Sequence, residues 1–157
     1  MSDGYIMDLR KVVGHRTLIQ AAASVIIMDR EGRVLLGKRS DNGFWGYSGG
    51  SLEIDERVED CARRELLEEM GLTANSLEFF MVNSGPEAHY VYPNGDEVSN
   101  VEIIYLCRDY SGEPRMADGE MTELRFFSLD DLPPISPPIR PAMERLVNAQ
   151  FTMHNAQ

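Results

Sequence analysis

The hydrophobic positions change period along the chain, and the changes outline its elements. Residues 18–28 form an apolar, β-branched run that reads as a buried strand, and Asp29-Arg-Glu-Gly32 supplies a turn before a second apolar run at 34–36. The pair reads as a hairpin. Asp41-Asn-Gly43 breaks the pattern ahead of Trp45-Gly-Tyr-Ser-Gly-Gly50, where paired glycines let backbone approach a ligand closely. From 56 to 70 the period becomes helical, with Val58, Cys61 and Ala62 on one face and Gly71 as the stop. Residues 77–82, 101–107 and 124–127 read as further strands, and Asn94-Gly95 is the strongest hairpin-turn signal in the chain. Pro133, Pro134, Pro137 and Pro138 make a stiff connection to a last helix near 141–149. At the other end, Arg10, Lys11, His15 and Arg16 surround Val12 and Val13, so residues 1–17 read as an arm or an added strand. Strands interleaved with two helices predict a single α+β domain over 1–157, a mixed sheet between helical layers, closing with a C-terminal helix and tail over 135–157.

The helical stretch carries the chemistry. Glu65, Glu68 and Glu69 stand at i, i+3 and i+4, so their side chains project from neighbouring positions. The face they share continues N-terminally as the apolar stripe of Val58, Cys61 and Ala62. Acids on a core-directed stripe are costly unless something compensates them. A hard divalent cation, Mg²⁺ or Mn²⁺, takes oxygen ligands and keeps room in its shell for water and substrate phosphate. This reading therefore predicts a site for metal and phosphate.

Composition narrows the partners. With 157 residues and a formal charge of −11, the chain lacks the basic stripe that polynucleotide binding requires. A small phosphorylated substrate stays compatible, because bound metal reverses the local field. No apolar run reaches 18 residues and no signal-peptide pattern opens the chain, so no membrane partner and a cytoplasmic location are expected. Cys61 and Cys107 are too few for a disulfide framework or a zinc site.

The stretch from Gly50 to Leu72 resembles the signature of the Nudix hydrolases, Gly-x5-Glu-x7-Arg-Glu-U-x-Glu-Glu-x-Gly-U with U a bulky aliphatic residue. It is met by Gly50, Glu56, Arg64, Glu65, Leu66, Glu68, Glu69, Gly71 and Leu72. Similarity extends from about residue 21 to 134, with two departures: Ser48 stands where proline is common, and Asp55 where glycine is common. The resemblance implies the Nudix fold and a divalent-metal-dependent pyrophosphohydrolase. Its substrate would be a nucleoside triphosphate or a nucleotide sugar such as ADP-ribose, cleaved by water attack on phosphorus. It implies Glu65, Glu68, Glu69 and the Gly49 carbonyl as metal ligands, and Arg64, with Glu56 as partner, as the residue that orients a box glutamate. Glu120, in the loop before the last strand, is the candidate base, with Asp118 and Glu123 as competitors. Lys38, Arg39, Trp45 and Glu53 are candidates for substrate contact. A small nucleotide is the expected partner and a homodimer is compatible with the reading. Two alternatives stay open: a catalytically silent module that binds a nucleotide as a sensor, and an acidic interaction domain whose box is structural.

Overall fold

The computed structural model describes residues 4–155. In chain order its helices are α1 (Tyr5–Val13), α2 (Val58–Met70) and α3 (Arg140–Asn155). Its strands are β1 (Leu18–Ile27), β2 (Val34–Arg39), β3 (Trp45–Gly46), β4 (Ser48–Ser51), β5 (Thr73–Ala74), β6 (Glu78–Asn83), β7 (His89–Val91), β8 (Glu97–Cys107), β9 (Tyr110–Ser111) and β10 (Met121–Phe127). The main sheet has the order β4-β1-β8-β6, with β7 also paired to β8; β10-β2-β3 form a second sheet and β5-β9 a third. β1 runs parallel to β8 from Leu18↔Val98 to Ile27↔Cys107 and antiparallel to β4. The fold is α+β, with a mixed main sheet.

Strand alternation divides the core in two. Ala23, Val25 and Ile27 of β1 pack with Cys61, Ala62, Leu66 and Met70 of α2, while Ile26 and Met28 face Ala142, Met143 and Leu146 of α3. α2 and α3 therefore cover opposite faces of the sheet.

Two expectations are corrected. β1 and β2 are not a hairpin: β1 has β4 on one edge and β8 on the other, so its ladder is complete, and only the Met28↔Val34 bridge joins the two runs. Asp29 makes the local turn, accepting from the backbone N–H of Glu31 and Arg33 and from Arg33 Nε, and sends β2 into the second sheet. Residues 5–13 are a helix instead of an arm or strand. Ile6, Leu9, Arg10 and Val13 share its inward side at helical spacing, and Arg10 is buried there, donating to the carbonyls of Gly14, Arg16 and Glu97. The Asn94-Gly95 turn does join two antiparallel strands, β7 and β8.

Asp55, at the position where glycine is common, has φ 61° and is the one non-glycine residue with positive φ among those described. A side chain there costs about 1 kcal/mol relative to glycine. Asp55→Gly should therefore raise stability by up to about 1 kcal/mol, or about 2–4 °C in Tm, measured by thermal melting; a lower Tm would show that Asp55 stabilises the loop by a contact of its own.

Candidate active site

β4 and α2 build the site together. The buried stripe of α2 runs through Cys61, Ala62, Leu66, Glu69 and Met70, with Val58 and Glu65 half-buried on the same side. Glu65 and Glu69 thus point toward the sheet, at i and i+4. Gly50 makes room for Glu65, since a methyl group there would lie 2.3 Å from Glu65 Cδ, and Gly49 makes room for Ser24 of β1, whose Oγ would lie 2.1 Å from a methyl group at that position. Glu69, 3 % exposed, accepts hydrogen bonds on Oε1 from the Gly49 N–H (3.0 Å) and the Ser48 hydroxyl (3.2 Å). Glu68 stands at the rim, its side chain half exposed. Ser48 contributes a hydroxyl to Glu69 where proline would contribute none.

Arg64 ties the acids together. Its guanidinium makes a bidentate pair with Glu56 (Nε–Oε2 2.7 Å, Nη2–Oε1 2.9 Å) and also reaches Glu65 Oε1 at 2.9 Å, Glu68 Oε2 at 3.4 Å and the Ser51 carbonyl at 3.2 Å. The Arg64 hydrogen bonds hold the Glu56 carboxyl down at about 2. Glu69 behaves oppositely: burial, then the charge of Glu65, pushes its carboxyl well above the ordinary range. Burial also raises Glu65, against the pull of Arg64.

These groups fit a hard divalent cation. Glu65, Glu68, Glu69 and the Gly49 carbonyl offer oxygen alone, and among the described residues the buried Glu69 carboxylate has backbone and hydroxyl donors but no cationic side chain bonded to it. Among the described residues no three acidic, histidine or cysteine side chains already form a closed ligand set. Arg64 holds Glu65 and Glu68 meanwhile, so binding an ion would require those two carboxylates to turn from the guanidinium.

The cleft in front of these acids is lined also by Arg39, Glu53, Tyr92, Asp118 and Glu120, and by Ile6, Met7 and Arg10 of α1. Glu120 faces it from the loop before β10, its carboxyl raised by burial and by Asp118. Glu123 is instead ion-paired with Arg125, away from the cleft. Arg39 reaches the cleft while bound through Nε and Nη2 to Asp41 (2.9 and 2.7 Å) and lying over the Tyr92 ring. Its strand neighbour Lys38 alternates away and runs along the Gly43 turn. Trp45 is not brought to the cleft: it is 7 % exposed, packs edge-on against Phe127 (centroids 4.9 Å apart) and belongs to the core under α3. Glu53 lines the cleft, but Oε2 accepts the Tyr5 N–H at 2.9 Å, which fastens the start of α1.

A second, more enclosed cleft adjoins the first and shares Gln20, Arg39, Gly49, Gly50 and Tyr92 with it. On its wall Glu102, 8 % exposed, accepts from Ser24 Oγ (2.6 Å), Tyr47 OH (3.2 Å) and Asn83 Nδ2 (3.3 Å). Sequence reasoning passed over Glu102 and Gln20. The available signal for Glu102 was a lone acid within the apolar run of β8, a pattern that names no partner.

A family model described as NUDIX domain matches residues 18–149. The chain is 32 % identical over 133 residues to the ADP-ribose pyrophosphatase of Methanocaldococcus jannaschii, covering 82 % of this chain and 73 % of that protein. It is 29 % identical over 149 residues to the NAD-capped RNA hydrolase NudC of Actinobacillus succinogenes, covering 89 % of this chain but spanning only 52 % of that protein's length. The crystal structure of the MutT NUDIX hydrolase from Burkholderia pseudomallei superposes with a TM-score of 0.69 at 33 % identity, over 81 % of this chain and 97 % of that one.

The raised Glu69 carboxyl gives a stability prediction with a definite sign. An acid whose folded pKa lies above its unfolded value of 4.5 contributes most below that value and loses the contribution as pH rises through the folded pKa. Glu69→Gln should therefore stabilise the metal-free protein at pH 7 by about 1–2 kcal/mol, with the gain vanishing near pH 4.5. The same variant should lose most of the Tm rise given by Mg²⁺ or Mn²⁺, which for one ion at about 100 times its Kd amounts to about 2.7 kcal/mol in the parent protein. Melts in EDTA and in divalent salt check both; an undiminished ion response in the variant would remove Glu69 from the ligand set.

Proposed function

The chain belongs to the NUDIX family, and on that premise we propose that it is a divalent-metal-dependent pyrophosphohydrolase that cleaves the diphosphate link of a small nucleotide. The substrate is a nucleoside triphosphate or a nucleotide sugar such as ADP-ribose, and water attacks phosphorus. One observation carries the reading: Glu65 and Glu68 on α2 and Glu120 on the loop before β10 line one cleft, with the buried Glu69 anchored behind them on the β4 backbone. Glu65, Glu68, Glu69 and the Gly49 carbonyl would hold Mg²⁺ or Mn²⁺, which would supply charge neutralisation for the diphosphate and lower the pKa of water.

The remaining work falls to side chains. Arg64, held by Glu56, fixes the direction of Glu65 and opposes the burial that raises its carboxyl. Glu120 takes the proton of the attacking water; burial, then the charge of Asp118, raises its carboxyl, which makes it a stronger base than a solvated one. Arg39 meets substrate phosphate from the opposite wall, pre-oriented by Asp41. Lys38 and Trp45 leave the set of substrate contacts, and Glu53 acts on the site through α1.

Small nucleotides are favoured over capped RNA. With a net charge of −11 the chain presents no basic track, and Arg10, the centre of its one short basic cluster, is buried against backbone carbonyls. The similarity to an ADP-ribose pyrophosphatase spans most of that protein, whereas the similarity to the NAD-capped RNA hydrolase spans half. A cytoplasmic location belongs to the same proposal.

The test is turnover of nucleoside triphosphates, ADP-ribose and capped RNA with Mg²⁺ or Mn²⁺. Excess EDTA should abolish it. Glu120→Gln should lower kcat by about 10²- to 10⁴-fold with a modest change in KM, and Glu123→Gln by less than about threefold. Turnover of RNA at least tenfold more efficient than that of every small substrate would defeat the substrate assignment, and activity in EDTA the mechanism.

A further inference from the structure

The enclosed cleft beside the glutamates is a built site with unused hydrogen-bonding capacity. Its cavity volume is about 110 Å³, and it opens into the diphosphate cleft along Gln20, Arg39, Gly49, Gly50 and Tyr92. A ligand whose phosphates lie at α2 can therefore extend its other end here. Tyr90 and Tyr92 stand at this end, their rings 5.0 Å apart edge to face, and the Arg39 guanidinium lies over Tyr92. Aromatic walls of this kind accept a flat heterocycle.

The polar groups are specific. A carboxylate has about four acceptor positions, and the three donors on Glu102 (Ser24 Oγ, Tyr47 OH and Asn83 Nδ2) leave one open. No lysine or arginine bonds Glu102 among the described residues, and the group is only 8 % exposed. Gln20, 9 % exposed, and Ser136, 6 % exposed, line the same cleft, and neither side chain has a hydrogen-bond partner among the described residues. Among the described residues Arg10 Nε is the one side-chain polar atom both fully buried and unpartnered, so the polar atoms of Gln20 and Ser136 are open to the cleft, where a ligand can bond them beside the remaining Glu102 position.

We propose that this cleft is a base subsite that selects nucleotides whose base carries an exocyclic amino group, with Glu102 accepting the amino N–H and the Gln20 amide bonding a neighbouring ring or carbonyl atom. The inference rests on the nucleotide reading above. An amino group presents N–H to the open Glu102 position, whereas an oxo group at the same place sets one acceptor against another and leaves the carboxyl underbonded. A hydrogen bond to a charged group of this kind is worth about 1.5–3 kcal/mol, which corresponds to about 10- to 140-fold in selectivity. Sugar and phosphates are read elsewhere, so matched bases isolate the effect.

The experiment compares kcat/KM for CTP with UTP and for ATP and GTP with ITP, and Kd for CMP with UMP and for GMP with IMP by calorimetry. Parent, Glu102→Gln and Gln20→Met proteins are measured, with folding checked by thermal melting. The parent should prefer the amino member of at least one pair by about tenfold or more in both readouts. Glu102→Gln, whose amide can donate as well as accept, should cut that preference at least fivefold, and Gln20→Met should weaken binding of the preferred base. If Glu102→Gln does not fold, loss of the preference in Gln20→Met carries the test. Pairs that agree within threefold, or a preference that survives both substitutions, overturn the base subsite while leaving the hydrolase reading intact. Absence of any turnover alongside selective monophosphate binding would instead defeat the hydrolase reading and keep the subsite.

Discussion

Negative charge on the sheet-facing side of α2 is the constraint to which the surrounding structure answers. Glu69 is nearly as buried as Leu66 and Met70 on the same stripe, and an unpaired carboxylate in such a place costs several kcal/mol. It is met by the Gly49 N–H and the Ser48 hydroxyl, so β4 must run close to the helix; Gly50 carries no side chain where Glu65 lies, and Gly49 none where Ser24 of β1 lies. Pairing of β4 with β1 then fixes the height of the helix over the sheet: Gly49 sits opposite Ser24 and Gly50 opposite Ala23. Gly71, in the left-handed region at φ 71° with its N–H on the Leu67 carbonyl, ends α2 one residue past Met70 and returns the chain to the sheet edge. Glycine at the strand and glycine at the helix end thus serve one purpose, to seat two acids where a nonpolar helix would have seated leucines.

Arg64 answers the same constraint from the outside. It cannot reach Glu69, but it binds Glu65 and Glu68 and is itself held in a fork by Glu56. The effect is a graded set of three carboxylates. Glu56 is strongly acidic, Glu65 is raised by burial against the pull of the guanidinium, and Glu69 is pushed well above the ordinary range. Identical side chains acquire different chemistry from position alone, which a single helical face could not arrange without the arginine.

The parts of this arrangement that are legible in the sequence are those with a local period or spacing. The acidic stripe, the glycine pair, the helix stop and the Asn94-Gly95 turn all depend on residues within a few positions of one another, and each has its counterpart in the structure. What escapes sequence reading depends on distant partners. The run 18–28 looks like half a hairpin because Asp29 to Gly32 is good turn chemistry, yet the ladder goes to β4 and β8, and no local signal reports that both edges of β1 are taken. The helical stripe Ile6, Leu9, Arg10, Val13 is interrupted by a charge, and its arginine is buried only because carbonyls at residues 14, 16 and 97 gather around it. Trp45 looks available for stacking until the 3.6 and 2.0 periods of neighbouring elements place Phe127 against its ring. Glu102 is the same case in reverse, an acid in an apolar strand whose three donors lie 78, 55 and 19 residues away.

Charge separates the two clefts more sharply than shape does. The cleft over α2 is lined by Glu53, Glu65, Glu68, Asp96, Asp118 and Glu120 against Arg10, Arg39 and Arg64, so acids outnumber cations there and an anionic substrate is repelled until the excess is compensated. The adjoining cleft holds a single carboxyl surrounded by hydroxyl and amide donors, and aromatic rings at its mouth, so a neutral heterocycle can enter it at any time. Arg39 stands at the junction and is the one cation common to both, already charged and directed by Asp41. The order of events that follows is physical. Charge compensation gates the phosphate end, while hydrogen bonding at Glu102 and Gln20 decides which base can stay long enough for the phosphates to be taken. In a chain of net charge −11, long-range attraction does not gather an anionic substrate, so short-range bonds in the adjoining cleft supply the selectivity and much of the residence time.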